Sequence, residues 1–512
     1  MPDTISKEPR LQGKWPRLRK HLIQPEAIQL IPEAIARRYN VVPLAADGDV
    51  LQVAMANPAD ILALEALASC SEMRIEPRAA TIEEIQEAID FNYQSYDEIR
   101  KEISNISLAG EIADEQITID SVADAPVAKA VTLIVSEAVK ARASDIHLQP
   151  EEDKLRVRYR IDGTLHDKLT LPLKTSVLLI SRIKILANMN IADHHHPQDG
   201  HFSFKLKGRQ EIDIRVGTVP TVHGEMAALR LLDKSRAVMP LVELGFLKES
   251  LDKFEKMLKI PYGMILVSGP TGAGKTTTLY AAINSLDCDG RNIITIEDPV
   301  EYRFERINQI QVNSRAGLTF ASGLRSIVRL DPDVILVGEI RDSETANIAI
   351  QSALTGHLVL SSIHANDAVG VVFRLLDLGV EPFLVASAVI GIVAQRMTRR
   401  VCPDCGRLAR FQLVEQIAYR KEVGEERTEF LSGSGCKSCA DTGFQGRTGI
   451  FEILQVSDEI RSMLLDNATT TQLRNQAIKE GMTPLIKDGM LKVKANITTP
   501  DEILRNAYST EQ

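Results

Sequence analysis

Continuous apolar runs of strand length recur through the second half of the chain. They are Met264–Ser268, Ile293–Ile296, Val334–Val337 and Leu358–Ser362, and stretches with a helical pattern separate them. Strands that are apolar on both faces and alternate with helices predict a parallel sheet covered by helices on both sides. We therefore expect an α/β core domain over residues 236–400.

A strict alternation upstream predicts a different kind of strand. Leu155, Val157, Tyr159 and Ile161 alternate with polar residues, and the turn Asp162-Gly163 follows them. This period of two is typical of a strand with one buried face. The neighbouring segments add helical and strand patterns, at 128–140, 177–189, 202–206, 212–219 and 227–232. Together they predict a second α/β domain over 123–235.

The remaining segments are shorter or more polar. Thr81 and Glu84 have the spacing of a capping box, which supports a small α/β domain over 25–94. The longest near-apolar run, Pro382–Ala394, predicts a buried helix, since a membrane span needs ~20 apolar residues. Four further regions complete the division of the chain: a flexible start at 1–24, a linker at 95–122, a cysteine-bearing element at 401–445 and a helical region at 446–512.

The net charge and the aromatic content argue against a nucleic-acid-binding function. The net charge is -9 and aromatic residues make up 4% of the chain. A dedicated nucleic-acid binder needs clustered basic residues or stacking aromatics, so we expect no nucleic-acid partner. The polar start of the chain predicts no secretory signal, and no apolar run is long enough to span a bilayer, so we expect a cytoplasmic protein whose contact with a membrane is at most peripheral.

A glycine-rich segment directly after the run Met264–Ser268 carries the sharpest chemical signal. It fits G-x-x-x-x-G-K-[ST] and leads into a helical pattern, which is the context that a phosphate-binding loop requires. Glycines let backbone N–H groups close around phosphates, Lys275 is expected on the terminal phosphates, and Thr276 on Mg²⁺. The alternative is an ordinary glycine-rich turn. The residues assigned to the nucleotide are Gly269, Pro270, Thr271, Gly272, Ala273, Gly274, Lys275, Thr276 and Thr277.

Acidic residues follow two of the predicted buried strands. Glu339 comes after the strand Val334–Val337, with Gly338 at the place of the usual metal-side aspartate, so Glu339 is the candidate that polarises the attacking water. Its alternative is a structural ion pair with Arg341. Glu297 ends the strand that begins at Ile293 and is a candidate for positioning water or Mg²⁺, because ligands bind beyond the carboxyl ends of such strands. Its alternative is a turn or cap residue.

Histidines and arginines give weaker signals. His357 and His364 flank the strand Leu358–Ser362, where they are either structural or sensors of the γ-phosphate or a neighbouring subunit. Arg215 and Arg230 lie on successive predicted strands of the second domain. Strand arginines are mostly solvated or paired, so patterning alone makes neither an arginine finger.

Four of the six cysteines form two CxxC pairs, Cys402 with Cys405 and Cys436 with Cys439. Each pair can supply two thiolates from one tight turn, and two such turns complete a tetrahedral zinc site with no open position. We therefore predict a structural zinc site, with free thiols or a redox pair as the alternatives.

Taken together, these motifs resemble the secretion ATPase superfamily, and specifically the type II secretion and type IV pilus assembly ATPases. The matching blocks are the loop from Gly269, Ile-Glu-Asp-Pro-Val-Glu-Tyr from Ile296, Gly-Glu-Ile-Arg-Asp from Gly338, Thr355 through Asn366, and the four-cysteine element with Gly443-Phe-Gln-Gly-Arg. Upstream, Ser-Asp-Ile-His-Leu from Ser144 and Pro-Gln-Asp-Gly from Pro197 resemble blocks of the family's second N-terminal domain.

The resemblance implies a RecA-like P-loop core, a PAS-like second N-terminal domain and a small first one. It assigns water activation to Glu339, the aspartate-box acid to Glu297, the histidine-box residue to His364, and arginine fingers to Arg215 and Arg230. It further implies ATP, Mg²⁺ and Zn²⁺, and a homo-hexamer that works with a polytopic inner-membrane platform protein and a cytoplasmic-facing assembly protein.

Two departures and three alternatives accompany the resemblance. His194-His195-His196 stands where the family often has basic residues, and we do not find the repeated Arg-Leu-Gly motif with which some relatives bind cyclic di-GMP. The alternatives are a retraction or conjugation ATPase, a nucleic-acid translocase, and a non-hydrolysing scaffold. The sequence does not separate type II secretion from type IV pilus assembly.

Overall fold

The computed structural model describes residues 23, 25–86, 88–89, 125–205, 211–232, 239–439 and 442–507. These residues divide near Leu231 into two compact units, each described by itself below. The linker predicted over 95–122 lies outside the described residues, as does nearly all of the flexible start predicted over 1–24.

The first unit begins with a three-stranded sheet of order β1-β2-β3. The strands are β1 (Val41–Asp47), β2 (Val50–Met55) and β3 (Arg74–Ala79), and the helices are Pro25–Leu30, Glu33–Tyr39 and Ile61–Ser71. The predicted capping box forms, because Glu84 N donates to Thr81 Oγ1 at 3.2 Å and Thr81 N donates to Glu84 Oε2 at 3.3 Å. The pattern did not predict β1, whose N-terminal half is buried in this core.

A six-stranded sheet of order β6-β5-β4-β9-β8-β7 completes the first unit. Its strands are β4 (Ala143–Pro150), β5 (Lys154–Ile161), β6 (Thr164–Pro172), β7 (Gln198–Lys205), β8 (Glu211–Thr221) and β9 (Gly224–Leu232), and its helices are Ala125–Lys140 and Lys174–Leu186. The alternation in β5 is confirmed, since its four apolar side chains are buried and the arginines between them are partly exposed.

The second unit is built on a seven-stranded sheet of order β12-β11-β13-β14-β10-β15-β18. Its strands are β10 (Gly263–Ser268), β11 (Ile293–Glu297), β12 (Asn308–Gln311), β13 (Val334–Val337), β14 (Leu358–Ile363), β15 (Val389–Val401) and β18 (Phe444–Gln455). The first six pair in parallel and β18 pairs antiparallel with β15, so the predicted parallel sheet is confirmed. A separate antiparallel pair joins β16 (Gly406–Arg410) to β17 (Glu429–Gly433).

Helices cover both faces of this sheet and bury two cores. Met264, Leu266 and Ile296 belong to the core on one face, while Ile265 and Val267 belong to the core on the other. The α-helices of the unit are Lys248–Leu258, Lys275–Asn284, Phe320–Ile327, Ser343–Leu354, Ala368–Asp377, Pro382–Ala388, Leu413–Val423, Asp458–Leu465, Thr470–Lys479, Leu485–Lys494 and Pro500–Ala507. Short 3₁₀ helices lie at Leu241–Glu243, Ser314–Ala316 and Lys437–Cys439.

Two predictions of secondary structure were wrong. The run Pro382–Ala394 is a helix only to Ala388 and then enters β15, where β-branched residues favour a strand. The helical region predicted over 446–512 begins inside β18, whose apolar residues fill the sheet edge beside β15. Among the described residues, no helix is long and apolar enough to cross a membrane.

Candidate functional site

The predicted phosphate loop lies between β10 and the helix Lys275–Asn284. Gly269, Gly272 and Gly274 have φ angles of 148°, 79° and 86°, which side chains rarely adopt. Lys275 Nζ folds back over the loop and donates to the carbonyl oxygens of Gly269 at 2.7 Å and of Pro270 at 3.2 Å. Burial lowers the pKa of Lys275, and Glu339 partly offsets this effect. The loop therefore surrounds a cationic group at a helix N-terminus, which favours an anion.

Strand β15 supports the loop from the neighbouring position in the sheet. Gln395 is 2% exposed, and its Nε2 donates to the carbonyl oxygen of Ala273 at 2.7 Å. Gln395 was not among the residues predicted from the sequence. The available signal was an amide side chain directly after the apolar run that ends at Ala394.

The other predicted acids lie along the same edge of the sheet. Strands β10, β14, β13 and β11 are neighbours in that order, and their carboxyl ends meet at one edge because the strands are parallel. His364 follows β14, Glu339 follows β13, and Glu297 is the last residue of β11. The topology thus brings together residues that are far apart in the sequence.

Glu339 lies between a cation and a histidine. Its side chain is 14% exposed, and its two oxygens face the guanidinium of Arg341 and, at 3.7 Å, Nε2 of His364. The pairing with Arg341 matches the structural alternative for Glu339, while the contact with His364 joins two of the predicted catalytic residues. Burial, and then the positive charge of Lys275, lower the pKa of His364, which favours its neutral imidazole.

The carboxylate of Glu297, which was predicted to position water or Mg²⁺, is buried in the second unit. It is 4% exposed, and its carboxylate accepts hydrogen bonds from the Tyr280 hydroxyl, from Thr295 Oγ1 at 2.6 Å and from Gln309 Nε2 at 3.2 Å. Neither Tyr280 nor Gln309 was among the residues predicted from the sequence. An acid held by three donors is a fixed group rather than a mobile one.

The second histidine of the predicted pair does not join this edge. His357 precedes β14, at the amino end of that strand, whereas His364 follows its carboxyl end. His357 Nδ1 lies 2.8 Å from the carbonyl oxygen of Ser352, at the end of the helix Ser343–Leu354. His357 therefore closes a helix-to-strand turn, as the structural alternative expected.

The four cysteines of the two CxxC pairs converge. Their sulfur atoms all lie within 4.8 Å of one another, with Cys402 and Cys436 3.7 Å apart and Cys405 and Cys439 3.8 Å apart. Four thiolates at about 2.3 Å from a tetrahedral zinc would be separated by about 3.8 Å, so the donor set fits zinc. The segment between the pairs makes the expected excursion, through β16, the helix Leu413–Val423 and β17.

The two predicted arginine fingers belong to the first unit, whereas the phosphate loop belongs to the second. Arg230 lies on β9 directly opposite Asp145 of β4, and Arg230 Nε is 3.1 Å from Asp145 Oδ1. Arg215 lies on β8 and is partly buried. Their role toward a nucleotide stays a prediction.

Comparison with known protein families identifies the chain. The family model described as type II/IV secretion system protein matches residues 120–505, which is more than half of the chain. The chain belongs to the type II secretion and type IV pilus assembly ATPase family. A second family model, the MshEN domain, matches residues 14–98 of this secretion ATPase.

Curated relatives extend over most of this secretion ATPase. It is 41% identical to the type IV pilus assembly ATPase PilB of Myxococcus xanthus, covering 94% of this chain and 87% of that protein. It is 40% identical to the type II secretion system protein E of Pectobacterium carotovorum subsp. carotovorum, covering 93% and 96%. The Vibrio cholerae type II secretion system ATPase E is 43% identical, over 78% of this chain and 79% of that protein.

Solved structures share the fold. The pilus retraction motor PilT with bound ADP matches with a TM-score of 0.50 and 25% identity, covering 74% of this chain and 97% of that one. The Yersinia pseudotuberculosis ATPase DotB matches with a TM-score of 0.55 and 19% identity, covering 74% and 93%. The latter likeness concerns the fold alone.

Proposed function

We propose that this protein is a hexameric motor that hydrolyses ATP to drive the assembly of pilus or pilus-like subunits. The observation that carries the proposal is the shared edge of the seven-stranded sheet. There the phosphate loop, Glu339 and His364 follow neighbouring strands, in a chain about 40% identical, over more than nine tenths of its length, to a type IV pilus assembly ATPase and to a type II secretion system protein E.

The roles follow from the chemistry of each group. Loop N–H groups and Lys275 bind the phosphates of ATP, and Lys275 exchanges its contacts with the loop carbonyls for phosphate oxygens. The exposed Thr276 hydroxyl, at the start of its helix, is suited to hold Mg²⁺, which neutralises charge on the transferring phosphoryl group when bound. Glu339 orients the attacking water and accepts its proton, with His364 beside it.

Arg215 and Arg230 serve as arginine fingers in this proposal, and the four cysteines hold a structural zinc ion. Arg230 supports the first role because its guanidinium side chain is 62% exposed although it contacts Asp145. The proposed partners are further copies of the chain in a ring, a polytopic inner-membrane platform protein and a cytoplasmic-facing assembly protein. Relatives named for pilus assembly and for type II secretion are equally similar, so the proposal covers both machines.

The test is steady-state ATP hydrolysis by the purified full-length protein, with its mass in solution, for wild type and Glu339→Gln. We expect turnover from a hexamer, and a loss of about a hundredfold or more in the variant with ATP binding retained. The control Glu249→Gln removes an exposed carboxylate in the same unit and should leave turnover unchanged. Wild-type binding without turnover, unchanged when the platform protein is added, would refute the motor and favour a scaffold.

A further inference from the structure

Tyr280 stands out as a buried polar residue that no part of the proposed mechanism uses. It lies on the helix that begins with Lys275 and is 2% exposed, and its hydroxyl donates a hydrogen bond to the carboxylate of Glu297. Burial first, and then the charge of Glu297, raise the pKa of Tyr280 well above its ordinary value of 10.0. The hydroxyl therefore keeps its proton and acts as a permanent donor.

The sequence explains why these two side chains meet. Side chains four residues apart share one face of a helix, so Tyr280 lies on the face of Thr276, and a long helical side chain leans toward the N-terminus of its helix. In β11, Ile294 and Ile296 belong to the core on the opposite face of the sheet. The alternate residues Thr295 and Glu297 therefore point toward the helix that carries Tyr280.

Tyr280 also contacts the segment that follows Glu297. Glu301 N donates to the Tyr280 hydroxyl at 3.3 Å, and the Tyr280 ring makes edge contacts with Tyr302 at 6.2 Å and Phe304 at 4.9 Å between centroids. Gln309 ties the segment down further, since its Nε2 donates to Glu297 and, at 2.9 Å, to the carbonyl oxygen of Tyr302. We call residues 298–306 the aspartate-box loop.

We propose that Tyr280 is a positioning residue for ATP hydrolysis, which acts by fixing Glu297 and the aspartate-box loop to the phosphate-loop helix. Its hydroxyl bridges the carboxylate at the end of β11 and the backbone of the loop, from the helix face that carries Thr276. Glu297 is then an anchor for the loop and not the proton acceptor, a role left to Glu339. The inference rests on the proposed function.

The informative variant is Tyr280→Phe, which removes one oxygen and keeps the ring that packs on Tyr302 and Phe304. A hydrogen bond to a charged group is among the stronger ones in proteins, so kcat should fall roughly tenfold or more. KM for ATP should stay within about twofold, because the hydrogen bonds of the Tyr280 hydroxyl go to Glu297 and to Glu301 N, outside the phosphate loop. The matched control Tyr262→Phe removes the same atom from a side chain that is 59% exposed and should behave as wild type.

A double-mutant cycle separates positioning from a general loss of packing. If Tyr280 acts through Glu297, then Tyr280→Phe and Glu297→Gln together should be about as slow as the slower single variant. Effects that multiply would overturn the inference, as would an unchanged kcat in Tyr280→Phe. If that variant fails to fold, Thr295→Val removes a second donor from the same carboxylate and should show the same split between kcat and KM.

Hydrogen exchange gives a readout that does not depend on turnover. Amides of residues 298–306 should exchange faster in Tyr280→Phe than in wild type, and Mg-ATP should protect them in wild type but much less in the variant. If wild type turns over and Glu339→Gln does not, the motor proposal stands whatever this experiment gives. If wild type shows no turnover, the exchange result alone decides the inference, and equal exchange in both proteins overturns it.

Discussion

Gly269 and Gly272 of the phosphate loop have different surroundings, so the effect of a glycine-to-alanine substitution can be compared between them. An added Cβ at Gly269 would lie 2.3 Å from the carbonyl oxygen of Gln395 and 2.9 Å from Cβ of Ala273. An added Cβ at Gly272 would meet nothing within 4 Å. Both residues have positive φ, so both alanine variants carry backbone strain, but only Gly269→Ala also collides with a neighbouring strand.

The expected magnitudes follow from this difference. Left-handed backbone at a residue with a Cβ costs roughly 1–2 kcal/mol, which is the whole expected cost of Gly272→Ala. At Gly269 the strain is about 1–3 kcal/mol, and the shift of β15 needed to make room adds about 1–3 kcal/mol. That shift also displaces Gln395, whose side chain holds Ala273 O. We therefore expect Gly269→Ala to cost about 2–6 kcal/mol, divided between folding and nucleotide binding.

The assay is thermal unfolding together with the affinity for a fluorescent ATP analogue, for wild type and the two variants. A cost of 2 kcal/mol corresponds to roughly a thirtyfold change in an equilibrium constant. Gly272→Ala should fold and bind with at most a moderate loss, while Gly269→Ala should lose at least about thirtyfold, counted over the affinity and the folding equilibrium together. Equal stability and equal affinity in the two variants would refute the argument from the close approach of β15.

Two further predictions concern the metal site and pH. Wild-type protein purified without chelator should carry one zinc ion per chain by elemental analysis. Cys436→Ser should lose the zinc and unfold at a lower temperature, whereas the control Cys70→Ser should keep the zinc. A wild-type protein without metal would contradict the zinc assignment. The lowered pKa of His364 means that acid below pH 6.5 places a positive charge 3.7 Å from Glu339. A charged His364 pairs with the Glu339 carboxylate and competes with the attacking water for it, so kcat should fall with falling pH. His364→Gln should move that fall to lower pH, and superimposable pH profiles for the two proteins would contradict the role of His364.

The strands of the second unit were predictable because each is a separate apolar run. Both faces of the parallel sheet are buried, so β10, β11, β13 and β14 are mostly apolar, and the few polar residues in them, such as Thr295 and Ser361, are themselves buried. The phosphate loop and Glu339 follow directly from these strands, since the motif and the acid come within two residues of a strand end.

Residues that act across the sheet were not predictable in the same way. Gln395 supports the loop from β15, and Tyr280 reaches Glu297 from a helix; neither has a local pattern that predicts its partner. Strand β15 was itself hidden, because the run Pro382–Ala394 joins a helix and a strand without a polar break. Contacts of this kind depend on strand order, which local periodicity does not encode.

The missing aspartate at position 338 has a steric reason in this fold. Gly338 N donates to the carbonyl oxygen of Ile296 at 2.8 Å, so the ends of β13 and β11 approach closely. A Cβ at 338 would lie 3.3 Å from Cα of Glu297 and 3.3 Å from Ile296 O, which is tighter than most such contacts. A side chain there would press on the residue that anchors the aspartate-box loop. An added side chain at 338 would require these neighbours to move by a few tenths of an ångström. The next residue, Glu339, is the acid that contacts His364, while Glu297 is held by its own three donors. The glycine thus separates two carboxylates with different surroundings, one held by Arg341 and His364 near the phosphate-loop lysine and one buried as an anchor.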